Sequence, residues 1–184
     1  SGKITINLKE ADEAERTRLT VKLAAGYRTL VGHFRHELGH YYWDLLVRPD
    51  PARLETFTAV FGDANAPYGD ALKQYYAAGP PADWAARFTS AYASSHPWED
   101  WAETFAAYLE VISTLDTADA EGLGASTGGG IRERVRRYQK LGIALNELNR
   151  AMGLDDLLTR QFPQPVLTKL ERIDEWVHAG RPVG

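Results

Sequence analysis

The segment Gly32-His33-Phe34-Arg35-His36-Glu37-Leu38-Gly39-His40-Tyr41-Tyr42-Trp43-Asp44 constrains this chain more than any other. It carries His-Glu-x-x-His inside a proline-free run that reads as one helix over 28–47, stopped by Pro49. Four residues make slightly more than one helical turn, so His36 and His40 project from one face, as two imidazoles sharing a metal ion must. Glu37 lies beside them, placed to take a proton from a water the metal activates rather than to bind the metal. A shuffled chain would show the pentapeptide on the order of once in a hundred, and a helix with surface histidines and a fortuitous glutamate is the competing reading. Context weighs against it. Tyr41, Tyr42, Trp43, Leu45, Leu46 and Val47 surround the motif with apolar bulk, and buried imidazoles need partners.

Composition narrows the chemistry further. With 184 residues, 44% of them hydrophobic, the chain can bury one substantial core, and a single domain over 1–184 is expected. Zero cysteines exclude a thiolate site, so a metal here is held by histidine and carboxylate. A net charge of -4 without a basic stripe speaks against nucleic acid, and no apolar run approaches the roughly 18 residues of a membrane span. No signal-peptide pattern opens the sequence, which points to the cytoplasm, and the abrupt start suggests the C-terminal part of a longer natural protein.

Lys3 to Leu8 alternates polar and apolar residues with Ile4, Ile6 and Leu8 on one side, a half-buried strand. A lone strand needs a partner, which is one upstream, a short loop ladder, or a bound extended peptide substrate pairing with its edge. The remaining pattern is helical: Asp12 to Leu23, the motif helix, Pro51 to Phe61, Tyr68 to Ala77, a helix capped by Asp83 and running through Phe88 and Tyr92, Trp98 to Leu115, Ile131 to Met152, and Val166 to His178. Gly122 to Gly130 reads as a flexible loop. The expected fold is therefore mainly α with a minimal N-terminal β element. Gly32 and Gly39 are seven apart on one helix face, a spacing that suggests another backbone packs closely there.

A catalytic zinc takes three protein ligands and keeps one position open. His178 lies near the C-terminus and His96 precedes a proline in a turn, so a carboxylate fits better as the third ligand. Glu103 is embedded between Trp101 and Phe105 in the most apolar helix after the motif helix, where an unpaired carboxylate is costly. An ordinary helix-surface glutamate is the alternative. Asp44, one turn after His40, and Asp100, just before Glu103, are placed to accept the second N–H of a ligand imidazole, or are solvated or capping carboxylates. His33 shares the face of His36 and Glu37 and reads as a supporting partner, a fourth ligand or a packed core histidine. His96 and Tyr92 precede the Glu103 helix and are candidate donors to an oxyanion, against a turn histidine and a core tyrosine.

The motif segment, together with Ser90-Ala-Tyr-Ala-Ser-Ser-His-Pro-Trp-Glu-Asp-Trp-Ala-Glu-Thr-Phe105, resembles the bacterial family described as putative zinc-binding metallopeptidases, a gluzincin-like group. The likeness extends to Ile4 to Leu8, Phe61-Gly62-Asp63, Gly79 to Trp84 and Ala144 to Arg150. It implies a zincin-like helical core, Zn²⁺ on His36, His40 and Glu103, Glu37 as general base, and a peptide or protein substrate. The expected function is zinc-dependent hydrolysis of peptide bonds. Two other readings are a catalytically weak, zinc-stabilised helical module that binds a protein, and a hydrolase of a non-peptide amide. Glu37 favours catalysis, because a purely structural zinc site needs no base and is closed by a fourth ligand.

Overall fold

The computed structural model describes residues 29–123, 129–158 and 160–180. Among these the chain is all helix and connection: α1 (Leu30–Leu46), α2 (Pro51–Phe61), α3 (Tyr68–Ala78), α4 (Trp84–Arg87), a 3₁₀ turn (Tyr92–Ser95), α5 (Pro97–Ala120), α6 (Ile131–Ala151) and α7 (Gln164–Ala179). The mainly α expectation holds. The strand expected at Ile4 to Leu8, the helix from Asp12 to Leu23 and most of the glycine-rich loop lie outside the described residues.

Local chemistry sets the helix ends. Thr29 Oγ1 accepts the Gly32 N–H and starts α1, and the Asp50 carboxylate accepts the N–H groups of Ala52 and Arg53 ahead of Pro51 at the start of α2. Gly62, at φ 109°, ends α2 in a conformation side chains avoid. One expected helix breaks in two. α4 stops at Arg87, Phe88 is extended, and the chain turns again only at Tyr92. Tertiary contacts override the local pattern there: Lys169 Nζ lies 4.4 Å from the centre of the Phe88 ring, and Ser90 bends inward to reach Glu103.

α5 is the centre of the molecule. Every residue from Glu99 to Tyr108 is buried, and a helix covered on all sides is a core helix rather than a surface one. α1, α2, α6, α7 and the 3₁₀ turn all pack on it. Aromatic rings knit one flank, Phe57 against Phe61 at 4.9 Å, Phe61 against Trp101 at 5.5 Å and Trp101 against Trp176 at 5.8 Å. The α1–α5 crossing is closest at Gly39, where an added Cβ would come within 2.8 Å of Ala102 Cα. The Trp101 indole N–H donates to the Gly39 carbonyl at 2.8 Å. At Gly39 this is the close backbone approach expected of a glycine on that helix face.

Candidate metal centre

The crossing traps the His36 imidazole between two carboxylates of α5. Glu99 and Glu103 are four residues apart, hence on one face. His36 Nδ1 lies 2.7 Å from Glu103 Oε1, and its Nε2 lies 3.1 Å from Glu99 Oε2. All three residues are at least 97% buried, with exposures of 3%, 1% and 2% for His36, Glu99 and Glu103. The short contact from Nδ1 to a carboxylate is one that a protonated Nδ1 donates, and it turns Nε2 toward Glu99. His40, one turn along α1, brings its Nε2 to 3.1 Å from His36 Nε2 and 3.5 Å from Glu99 Oε2.

His36, His40 and Glu99 thus form a group that could hold a metal ion. Ligands about 2.0–2.1 Å from a tetrahedral zinc stand roughly 3.3 Å from one another, and the three separations here bracket that value. The donor set, two imidazole nitrogens and one carboxylate oxygen in a buried pocket, is one zinc accepts. A single proton can serve one of these contacts, whereas a cation among the three atoms serves all of them. The electrostatics agree. Burial pushes the His36 imidazole down, but hydrogen bonds to Glu103 and Glu99 outweigh it and raise it to about 10. Burial likewise pushes Glu99 and Glu103 up, yet the imidazoles, with Ser90 on Glu103, hold both below the usual carboxylate range. The pocket draws positive charge to the position between the rings.

A surrounding set of bonds fixes these groups. The Ser90 hydroxyl donates to Glu103 Oε2 at 2.7 Å while accepting the Ala93 N–H, and the Tyr68 hydroxyl donates to Glu99 Oε1 at 2.6 Å. Burial, then the Glu99 carboxylate, pushes the Tyr68 phenol above its ordinary range, so its proton stays in place. The His40 ring lies against Trp98, ring centres 3.9 Å apart and planes tilted by 38°. Glu37 is half-buried, with its Oε1 3.2 Å from His33 Nε2. That bond lowers the Glu37 carboxyl, burial opposes it, and the charges of His40 and His36 lower it further.

Set against the sequence reading, His36, Glu37 and His40 sit together on the inner face of α1, and His33 stands behind Glu37 rather than among the metal-facing atoms. Glu103 occupies a different place from the one its sequence suggests: Glu99 Oε2 faces both imidazoles, and Glu103 grips the far nitrogen of His36. Asp44 does not reach an imidazole. It is exposed and pairs with Arg48 one turn on, at 3.1 Å. Asp100, rotated about 100° from Glu99 on the same helix, faces away from α1 and meets Lys169 Nζ at 2.6 Å and the Thr104 hydroxyl at 3.3 Å. Burial pushes Asp100 up to about 7 against the opposing pull of Lys169 and Thr104. His96 caps α5: its Nδ1 accepts the Trp98 N–H and its Nε2 bonds the Ala66 carbonyl, both at 3.1 Å. Both ring nitrogens are used, so His96 offers no N–H to an oxyanion. The Tyr92 ring lies 6.1 Å from the His36 ring, in the wall of the site.

Three residues of the site are absent from the sequence reading. Glu99 had a signal, its four-residue spacing from Glu103 within the same apolar helix. Ser90 and Tyr68 had none, because only the tertiary fold brings them to the carboxylates.

A family model described as "Putative zinc-binding metallo-peptidase" matches residues 1–176. Uncharacterized proteins of Mycobacterium tuberculosis (strain ATCC 25618 / H37Rv) and Mycobacterium bovis are each 42% identical over 185 residues, covering 94% of this chain and 53% of their own length. The chain therefore spans about half the length of the curated relatives it matches. No solved structure matches it. No helix among the described residues is long and apolar enough to cross a membrane.

Proposed function

This chain belongs to the family described as putative zinc-binding metallo-peptidases, and from that premise we propose that it is a zinc-dependent peptidase whose metal is held by His36, His40 and Glu99. The observation that carries the reading is the convergence of His36 Nε2, His40 Nε2 and Glu99 Oε2 at separations of 3.1–3.5 Å in a buried pocket. Bound there, zinc supplies Lewis acidity that polarises a peptide carbonyl and lowers the pKa of a water.

The chain's own residues do the rest. Glu103 keeps the His36 proton on Nδ1 and so keeps Nε2 a donor of electrons. Glu37 belongs to the same helical face but touches neither Glu99 nor Glu103, and its side chain is 32% exposed. As a carboxylate held anionic by His33 it takes a proton from the attacking water and returns it to the amine that leaves. His33 restrains its swing. Tyr92 lines the pocket wall beside His36. The substrate is a peptide or protein in extended form, for which the alternating segment Ile4 to Leu8 has the pattern of a pairing edge. In this reading the two crossing helices are a zincin-like core of gluzincin type, with the motif on α1 and the third ligand on α5.

The experiment is Glu37→Gln. The variant should keep one equivalent of zinc while turnover of a fluorogenic peptide library falls by about 10²–10⁴-fold. Undiminished turnover removes the general base from the proposal, and purified protein without zinc removes the metal site.

A further inference from the structure

We infer that Tyr68 is a positioning residue of this centre, the group that aims Glu99 at the metal through its hydroxyl. The inference rests on the zinc site proposed above. Glu99 divides its two oxygens: Oε2 faces both imidazoles, and Oε1 accepts the Tyr68 hydroxyl at 2.6 Å. A hydrogen bond from a neutral hydroxyl to a carboxylate is among the stronger ones. It fixes the rotation of the carboxylate plane about the last side-chain bond, which packing alone leaves broad.

The phenol is held in place although its residue is 39% exposed. Tyr68 opens α3, and the connection leading to it is fastened to the first turn of α5 at three points. Gly62 packs so tightly on Pro97 that an added Cβ would lie 2.9 Å from Pro97 Cγ. Ala66, two residues before Tyr68, bonds His96 through its carbonyl at 3.1 Å. The Tyr68 ring itself meets His96 and Trp98 edge-on, at centre separations of 5.2 and 5.8 Å. His96 thus ties the Tyr68 connection to the helix whose second residue after Pro97 is Glu99. The hydroxyl and the carboxylate are set by the same short stretch of backbone.

Tyr68→Phe tests this, because it removes only the hydroxyl and keeps the ring contacts. Zinc affinity, read by competition with a chromophoric chelator, should fall about tenfold or more, the usual consequence of losing a group that orients a metal ligand. The metal-free variant should melt with the parent. A zinc affinity equal to the parent's overturns the inference. So does a loss of affinity matched by a lower melting temperature of the metal-free protein, which would mark a packing role. Glu99→Ala, run in parallel, separates this inference from the reading beneath it. If Glu99→Ala keeps full zinc affinity, the metal site has been misassigned. If it loses zinc while Tyr68→Phe does not, only the role of Tyr68 fails.

Discussion

Glu99 and Asp100 are neighbours in the chain and equally buried, each 1% exposed, yet the two flanks of α5 treat them in opposite ways. On the α7 flank Asp100 meets the ammonium of Lys169 at 2.6 Å, and Lys169 also donates to the Arg87 carbonyl and lies over the Phe88 ring. That carboxylate is answered by a cation the chain itself supplies. On the α1 flank Glu99 meets the imidazoles of His36 and His40, which are cationic only when protonated, and the neutral hydroxyl of Tyr68. A buried anion closed by lysine is a clasp between helices, whereas one facing two ring nitrogens is a socket for a cation from outside. The contrast predicts opposite signatures for breaking each.

The largest effects should come from cutting each carboxylate or its partner. Glu99→Ala should lower zinc affinity by more than about 100-fold, beyond the range seen when a merely orienting partner is lost. Lys169→Ala should act on stability and not on the metal. It strands Asp100 in the core, at a cost of about 3–5 kcal/mol, measurable by denaturant titration in the presence of chelator. Zinc affinity of the folded Lys169→Ala protein should stay near the parent's. The distinction between clasp and socket breaks if Lys169→Ala strips zinc or if Glu99→Ala keeps it.

A smaller effect sharpens the socket itself. Glu103 touches His36 on the nitrogen that faces away from the other candidate ligands, so Glu103→Gln should weaken zinc by about 10–100-fold without abolishing binding. A chelator-competition series ranking Glu99→Ala below Glu103→Gln confirms that the two glutamates play different parts. Equal losses would put both on the metal.

That ranking also shows what the sequence could express. His36, Glu37 and His40 were legible because their geometry is internal to one helix, where spacing fixes direction. The existence of an acidic partner helix was legible from carboxylates set among Trp101 and Phe105. Which carboxylate does what was not. Glu99 and Glu103 share a face, and the choice between them depends on where α1 crosses α5, a point fixed by Gly39 against Ala102. Proximity in sequence likewise misplaces Asp100: being near Glu103 along the chain puts it a third of a turn off the shared face, toward α7. His96 read as a loose turn residue because its two bonds, one local to Trp98 and one to Ala66 across 30 residues, are visible only once the connection to α3 folds back. The fold class was more legible than the site, since helical periodicity and proline or glycine stops are local, although Phe88 and Ser90 show tertiary contacts cutting a helix the pattern alone would continue.

The smallest predicted effect concerns Asp44, the carboxylate that spacing nominates for His40 and the structure sends to solvent. Its ion pair with Arg48 is an exposed i,i+4 contact, the side chains 48% and 68% accessible, and such pairs contribute about 0.3–0.5 kcal/mol. Among the described residues His40 Nδ1 has no hydrogen-bond partner, so nothing in its ring orientation depends on Asp44. Asp44→Ala should therefore shift the denaturation midpoint by no more than that small amount and leave zinc affinity unchanged. The Trp98 ring, its centre 3.9 Å from that of His40, packs against this imidazole. A tenfold loss of zinc in Asp44→Ala would bring the carboxylate to His40 in solution and would make the two histidines equivalent, each backed by its own acid. Retained affinity leaves them unequal, His36 fixed by a charged hydrogen bond and His40 by an aromatic face.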